Sequence, residues 1–143
     1  MTEPTPLTDR VADFLVQMDI DPDRNDENIF LLKYGSTVVM ISIFEEAGHE
    51  YVRMASTLLV GARVQLELVL RLLRLNTEVL FGAFILFEDD TVSFTHTLLG
   101  DGLTFEAFAH ALHYVAQVSD DHDEDLQSLA GGRRAEEILA DEA

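Results

Sequence analysis

The residues best suited to metal binding in this sequence are five histidines. His110 and His113 lie three positions apart in a segment predicted to be helical, so both could face one ion. A zinc site needs a third or fourth ligand, and His122 with its neighbours Asp121 and Asp123 lies in a separate acidic stretch. We therefore predict histidines on a helix surface, and no bound metal or cofactor.

Residue patterns typical of enzymes are also missing. The chain has no cysteine and no Gly-x-Ser-x-Gly motif, and Gly100-Asp101-Gly102 precedes a predicted helix without the lysine of a phosphate-binding loop. The acidic pairs Glu45-Glu46 and Asp89-Asp90 lie in predicted turns, where water screens them, whereas acid–base catalysis needs carboxylates that are buried or closely coupled. We predict that the protein is not an enzyme.

The net charge of −18 is concentrated at the two ends of the chain. Residues 1–28 carry a net charge of −6 and residues 119–143 a net charge of −7. Such a field repels phosphate groups, and no basic patch offsets it, so we predict that neither nucleic acid nor a membrane is a partner. No secretory signal or membrane-length apolar run is present, and we expect a cytoplasmic location.

Hydrophobic periodicity predicts three helices and five strands. In chain order these are a helix over Leu7–Met18, strands over Ile29–Lys33, Thr37–Phe44 and Glu50–Val60, a helix over Ala62–Asn76, strands over Val79–Phe87 and Thr91–Leu98, and a helix from Thr104 to about Val118 that either continues or frays over Asp120–Asp125. The predicted fold is α+β, an antiparallel twisted sheet of about five strands in the order α-β-β-β-α-β-β-α. We predict one domain over residues 1–130 and an acidic tail, helical or mobile, over residues 131–143.

The second predicted helix has more apolar surface than one contact requires. Its apolar residues cover roughly 240° of the helical wheel, although a surface helix needs a stripe of only about 100°. Such a helix either lies between its own sheet and a second subunit or is enclosed inside its own domain. We favour the second subunit, and therefore a homodimer.

The segment Leu75–Phe87, followed by Glu88-Asp89-Asp90, Val92–Asp101 and the helix at Thr104, resembles YbjN-like proteins and the class I type III secretion chaperones. The resemblance implies a small acidic dimer that holds extended peptide segments against hydrophobic surface. It also implies a dimer interface made by the second helix and a nearby strand. The corresponding residues here are Leu66, Val69, Leu70, Leu73, Phe81, Ala83 and Ile85.

These observations favour a homodimeric, chaperone-like or adaptor protein that binds a peptide or protein partner. Both faces of the predicted strands are apolar, so the sequence does not tell which face is open. The predicted partner contacts are the first helix and Val39, Ile41, Ile43, Tyr51 and Leu59. The alternative is a regulatory domain that senses a small molecule in a pocket lined by Phe81, Phe84, Phe87, Phe105 and Phe108.

Overall fold

The computed structural model describes residues 6–24, 29–35, 37–134 and 137–138. Its elements, in chain order, are α1 (Leu7–Gln17), β1 (Asp23–Arg24), β2 (Ile29–Tyr34), β3 (Thr37–Glu46), β4 (His49–Leu59), α2 (Leu66–Leu75), β5 (Ala83–Leu86), β6 (Val92–Leu99) and α3 (Phe105–Ala130). The strands form one antiparallel sheet in the order β1-β2-β3-β4-β6-β5. The predicted α+β fold and element order are confirmed, and the two-residue β1 is an additional strand.

The two faces of the sheet differ in their burial. Along β3, Val39 and Ile41 are fully buried, whereas Met40 between them is 40% exposed. Successive side chains of a strand point to opposite faces, so these residues define a core face and an outer face. Helix α3 contacts β3, β4 and β6, and both α1 and α2 contact α3. The hydrophobic core therefore lies between the core face and the helices.

Strand β5 is shorter than predicted. The sequence predicts a strand over Val79–Phe87, but the strand covers only Ala83–Leu86. The Phe84 N–H donates to Asn76 Oδ1 (2.7 Å) and Asn76 Nδ2 donates to the Phe84 carbonyl (3.2 Å), so residues 77–82 form a loop that starts at the end of α2. Gly82 has φ +81°, and a Cβ there would lie 2.6 Å from the Thr95 carbonyl oxygen. The backbone of β6 therefore passes too close to Gly82 for a side chain there.

Helix α3 continues through the acidic stretch to Ala130. Thr104 caps its first turn, because its Oγ1 accepts a hydrogen bond from the Ala107 N–H (3.1 Å). Leu126 and Ala130 are each 1% exposed, so the last turns are packed on the core even though many of the surrounding residues are charged. The helix ends at Gly131, whose φ of +68° favours glycine.

The start of the predicted tail is attached to the sheet. Arg133 and Val60 exchange two backbone hydrogen bonds of 2.8 and 2.9 Å. Arg134 Nη1 lies 3.6 Å from Glu124 Oε1 and 3.9 Å from Asp123 Oδ2. Most of the predicted tail, residues 135–136 and 139–143, lies outside the described residues.

Candidate binding surfaces

A shallow groove crosses the outer face of the sheet. We call it the sheet groove. Its volume is about 380 Å³, and its lining residues come from β2, β3, β4, β6 and the β5–β6 turn. They are Leu31, Val38, Met40, Ala55, Thr57, Phe87, Asp89, Thr91 and Ser93. Leu31, Met40 and Phe87 are 44%, 40% and 47% exposed, which leaves large apolar side chains available for a contact.

Strand register and a tight turn position these side chains. Leu31 is paired with Met40, and Met40 with Ala55, so the three lie in one row across adjacent strands. At the β5–β6 turn, Phe87 N–H donates to the Thr91 carbonyl (2.9 Å), and the Asp89 carboxylate accepts from the Thr91 N–H (3.1 Å). The turn therefore places an acidic tip beside the apolar end of the groove.

An aromatic cluster occupies another part of the outer face. The rings of Phe44 and Tyr51 stack with centroids 5.6 Å apart. The Arg53 guanidinium lies 4.8 Å from the Phe44 ring centroid, and its Nε donates to Thr97 Oγ1 (3.1 Å). These contacts hold Arg53 against the sheet, so this part of the outer face has a fixed positive charge.

The second exposed apolar surface lies on α2, and we call it the α2 surface. Leu66, Leu70 and Leu73 are 72%, 37% and 60% exposed. The opposite side of the helix packs into the core through Leu68, Leu72 and Leu75. Two exposed arginines, Arg71 and Arg74, lie on α2, and the exposed Arg63 precedes the helix near Gly131. Within the described residues none of the three forms a salt bridge.

The structure corrects three of the predicted partner contacts. Val39, Ile41 and Leu59 have no exposed surface, because their strands turn them toward the helices. Ile43 lies on the same core face and Tyr51 on the outer face, and both are half-buried. Alternating residues already indicated the outer face in the sequence, since the polar Lys33, Ser42, Arg53 and Thr57 share it with Leu31 and Met40.

The residues predicted for a dimer interface lie in three settings. Leu66, Leu70 and Leu73 form the α2 surface, and Val69 beside them is half-buried. Ala83 and Ile85 lie on the outer face of β5, the edge strand. Phe81 packs inside this chain, with its ring centroid 4.4 Å from those of His96 and Tyr114. The interface itself stays a prediction.

The histidines are dispersed, and two of them have a hydrogen-bond partner among the described residues. His49 Nδ1 lies 2.8 Å from Asp101 Oδ2, and His113 Nδ1 lies 3.0 Å from the Tyr34 hydroxyl. Burial of His96 beside Phe81 lowers the pKa of its imidazole. Among the described residues, no three histidine, aspartate or glutamate side chains are placed to hold a metal ion.

The phenylalanines of the alternative, small-molecule hypothesis do not line one shared pocket. Phe105 packs near Phe14 of α1, with ring centroids 6.0 Å apart, and Phe108 is fully buried. Phe84 packs against Phe94 in the core (5.0 Å), whereas Phe87 is exposed in the sheet groove.

The described helices include none that is long and apolar enough to cross a membrane.

Solved structures that share this fold include the ExsC–ExsE complex, a YbjN protein and a type III secretion chaperone. The chain matches a structure of the ExsC–ExsE complex with a TM-score of 0.68 and 16% identity over 85% of this chain and 97% of that chain. It matches YbjN, a putative transcription regulator from E. coli, with a TM-score of 0.63 and 17% identity over 90% and 98% of the two chains. The Yersinia pestis type III secretion chaperone SycH, in complex with a fragment of YscM2, matches with a TM-score of 0.62 and 12% identity over 81% and 98%.

The solved structures are too distant in sequence to assign this chain to a family, and a family model makes that assignment. No curated protein matches the sequence significantly. The model of the TY-Chap1 family, described as T3SS (YopN, CesT) and YbjN peptide-binding chaperone 1, matches residues 5–138. The match covers nearly the whole chain and includes all three helices and all six strands. This chain therefore belongs to the family of T3SS (YopN, CesT) and YbjN peptide-binding chaperones.

Proposed function

We propose that this protein is a non-enzymatic, chaperone-like binding protein that holds an apolar segment of another polypeptide. It acts as a homodimer in the cytoplasm, and the sheet groove is its partner-binding surface. The family description and the chaperone complexes among the structural matches support the binding role.

The observation that carries this proposal is the exposed apolar row in the sheet groove. Leu31, Met40 and Phe87 are each 40–47% exposed, although the residues on either side of Leu31 in β2 and of Met40 in β3 are at most 3% exposed. Fully burying one such side chain is worth about 1.5–3 kcal/mol. Because each is already more than half buried, a partner that covers all three gains about 2–4 kcal/mol, roughly a quarter to a half of a micromolar affinity. Shallow, open geometry suits a polypeptide segment better than an enclosed small molecule.

The α2 surface supports the homodimer. A second copy that covers Leu66, Leu70 and Leu73 removes the most exposed leucines of the helix from water. In a two-fold interface the same helix contributes from both protomers, so Glu67 of one α2 can pair with an arginine on the other. This arrangement uses the arginines that have no salt bridge within the described part of one chain.

Site-specific photocrosslinking in cells tests the binding role. A photoreactive amino acid replaces Leu31 in the sheet groove, and in the control it replaces the exposed Ser128 on α3. We expect the Leu31 position to form adducts with one recurring polypeptide segment, which mass spectrometry identifies, and the Ser128 position to form none. Equal adducts at the two positions, or none at Leu31, would contradict the proposal.

A further inference from the structure

We propose that the sheet groove takes a cationic amphipathic helix of about ten residues from a partner protein. The apolar stripe of this helix covers Leu31, Met40 and Phe87, and its lysines or arginines lie beside Glu88, Asp89 and Asp90. The inference rests on the proposed function and specifies the chemistry of the segment that is bound.

The direction of the groove disfavours a partner that adds a strand. Its lining residues come from β2, β3, β4 and β6, which are consecutive neighbours in the sheet. A segment that lies in the groove therefore crosses the strands. The backbone groups of the interior strands are already paired with their neighbours. A crossing segment can find only side-chain partners, such as the hydroxyls of Thr57 and Thr91.

A helix meets this constraint because it satisfies its own backbone hydrogen bonds. Three inter-strand spacings of about 4.8 Å give the groove a span of roughly 14 Å. At a rise of about 1.5 Å per residue, a helix of about ten residues covers this span in three turns. Residues at spacings of three and four along that helix then face the groove.

The acidic residues at the edge of the groove favour a partner helix with a basic sequence. Asp89 lines the groove, and Glu88 and Asp90 are exposed on either side of it. The single lysine of the chain, Lys33, is paired with Val38 at the β2 side of the groove, and the chain as a whole carries −18. A partner with basic residues at the β5–β6 turn is therefore attracted, and one with acidic residues there is repelled.

The same charges disfavour two occupants that are always present. Residues 135–143 of this chain contain four acids and no base, so the tip of the β5–β6 turn repels them. A second copy also brings a net charge of −18. The basic residues of a second copy that could approach the groove lie on α2, and the proposed homodimer already covers that helix.

Three synthetic 14-residue peptides test the inference by calorimetric titration of the full-length protein. The first has leucines at helical spacing with lysines on the other side, the second has glutamates in place of the lysines, and the third is the first with a central proline. We expect the leucine–lysine peptide to bind at least tenfold more tightly than the other two. Comparable binding of the glutamate peptide overturns the charge preference, and comparable binding of the proline peptide overturns the helix.

Matched variants locate the contact. Met40→Asn weakens binding about tenfold by removing one apolar contact, whereas Leu99→Asn, at an exposed position on the same face of the sheet but outside the groove lining, leaves it unchanged. At low salt, the double change Glu88→Gln with Asp89→Asn weakens binding several-fold more than Glu45→Gln with Glu46→Gln at the β3–β4 turn. The inference is overturned if the two variants of either pair weaken peptide binding equally. The peptide would then be attracted non-specifically to an acidic protein.

The two proposals fail separately. If crosslinking at Leu31 identifies a recurring segment but no leucine–lysine peptide binds, the helix inference is wrong and the binding role stands. If the peptide binds at the groove but crosslinking at Leu31 finds no recurring segment, the groove recognises such a helix and the proposed function is contradicted.

Discussion

The sheet groove and the α2 surface are both exposed and apolar, and they differ in the charges around them. Leu31, Met40 and Phe87 of the sheet groove lie beside an acidic turn. The leucines of the α2 surface lie on a helix that carries Arg71 and Arg74, with Arg63 shortly before it, in a chain that has only nine basic residues. Apolar burial gives affinity to either surface, so charge is the property that separates their partners.

This separation has a physical consequence for association. A chain of net charge −18 repels its own copies at long range, and a contact between copies forms most easily where the local charge is not negative. The α2 surface meets this condition and the sheet groove does not. Charge thus directs a second copy to one surface and leaves the other open for a basic segment.

The largest expected effect is on the dimer. Leu73→Glu places a charge in the proposed α2 interface, and a two-fold interface contains the position twice. Loss of about 2 kcal/mol of leucine burial at each copy predicts a dimer dissociation constant raised about 1,000-fold or more. Sedimentation equilibrium measures this constant for the wild type and the variant.

Leu99→Glu is the matched control for the dimer. Leu99 is 50% exposed, close to the 60% of Leu73, but it lies on the outer face of the sheet. We expect this variant to remain as dimeric as the wild type. The α2 interface is wrong if both variants dissociate equally, or if the wild type is a monomer at all concentrations.

A second comparison concerns the two faces of β3. Ile41→Ala removes a side chain with no exposed surface and should lower the free energy of unfolding by about 2–5 kcal/mol. Met40→Ala, one residue away on the outer face, should change it by about 0.5 kcal/mol or less. Urea denaturation of the two variants measures the difference. Similar losses for both would mean that Met40 is covered, and the sheet groove would not be an open surface.

The element order follows from the sequence because each segment has a clear periodicity. The open face is harder to predict, since β3 has apolar residues at Met40 as well as at Ile41. The polar residues that indicate it lie mostly on β2 and β4, so the pattern of β3 has to be considered together with those of its neighbours.

The lengths of β5 and α3 also depend on contacts that the hydropathy pattern does not show. The apolar run before Ala83 is not a strand, because the Asn76 side chain bonds the backbone of Phe84 and holds a loop there. Helix α3 runs through its acidic stretch because Leu126 beyond the stretch packs into the core. The binding surfaces were predicted in part: the α2 leucines are exposed as expected, whereas the outer-face residues of the sheet groove were not identified.

The smallest expected effect is a pH dependence at the loop that joins α2 to β5. His96 lies on the core side of β6, next to Phe81 in the loop that joins α2 to β5. Burial lowers the pKa of His96 below its ordinary value of 6.5. A lowered pKa in the folded state means that folding stability is complete above about pH 6.5 and is lost as the pH falls through the folded-state pKa. Acid should therefore loosen the packing of Phe81.

His96→Asn measures this contribution by difference. We expect the fall in unfolding free energy from pH 7.5 to 5 to be smaller in this variant than in the wild type. Asp123 acts in the opposite direction, because burial raises the pKa of its carboxyl despite the nearby Arg134, but the opposing effect is present in both proteins and cancels. An unchanged slope in His96→Asn would show that this imidazole is not what couples the loop to pH.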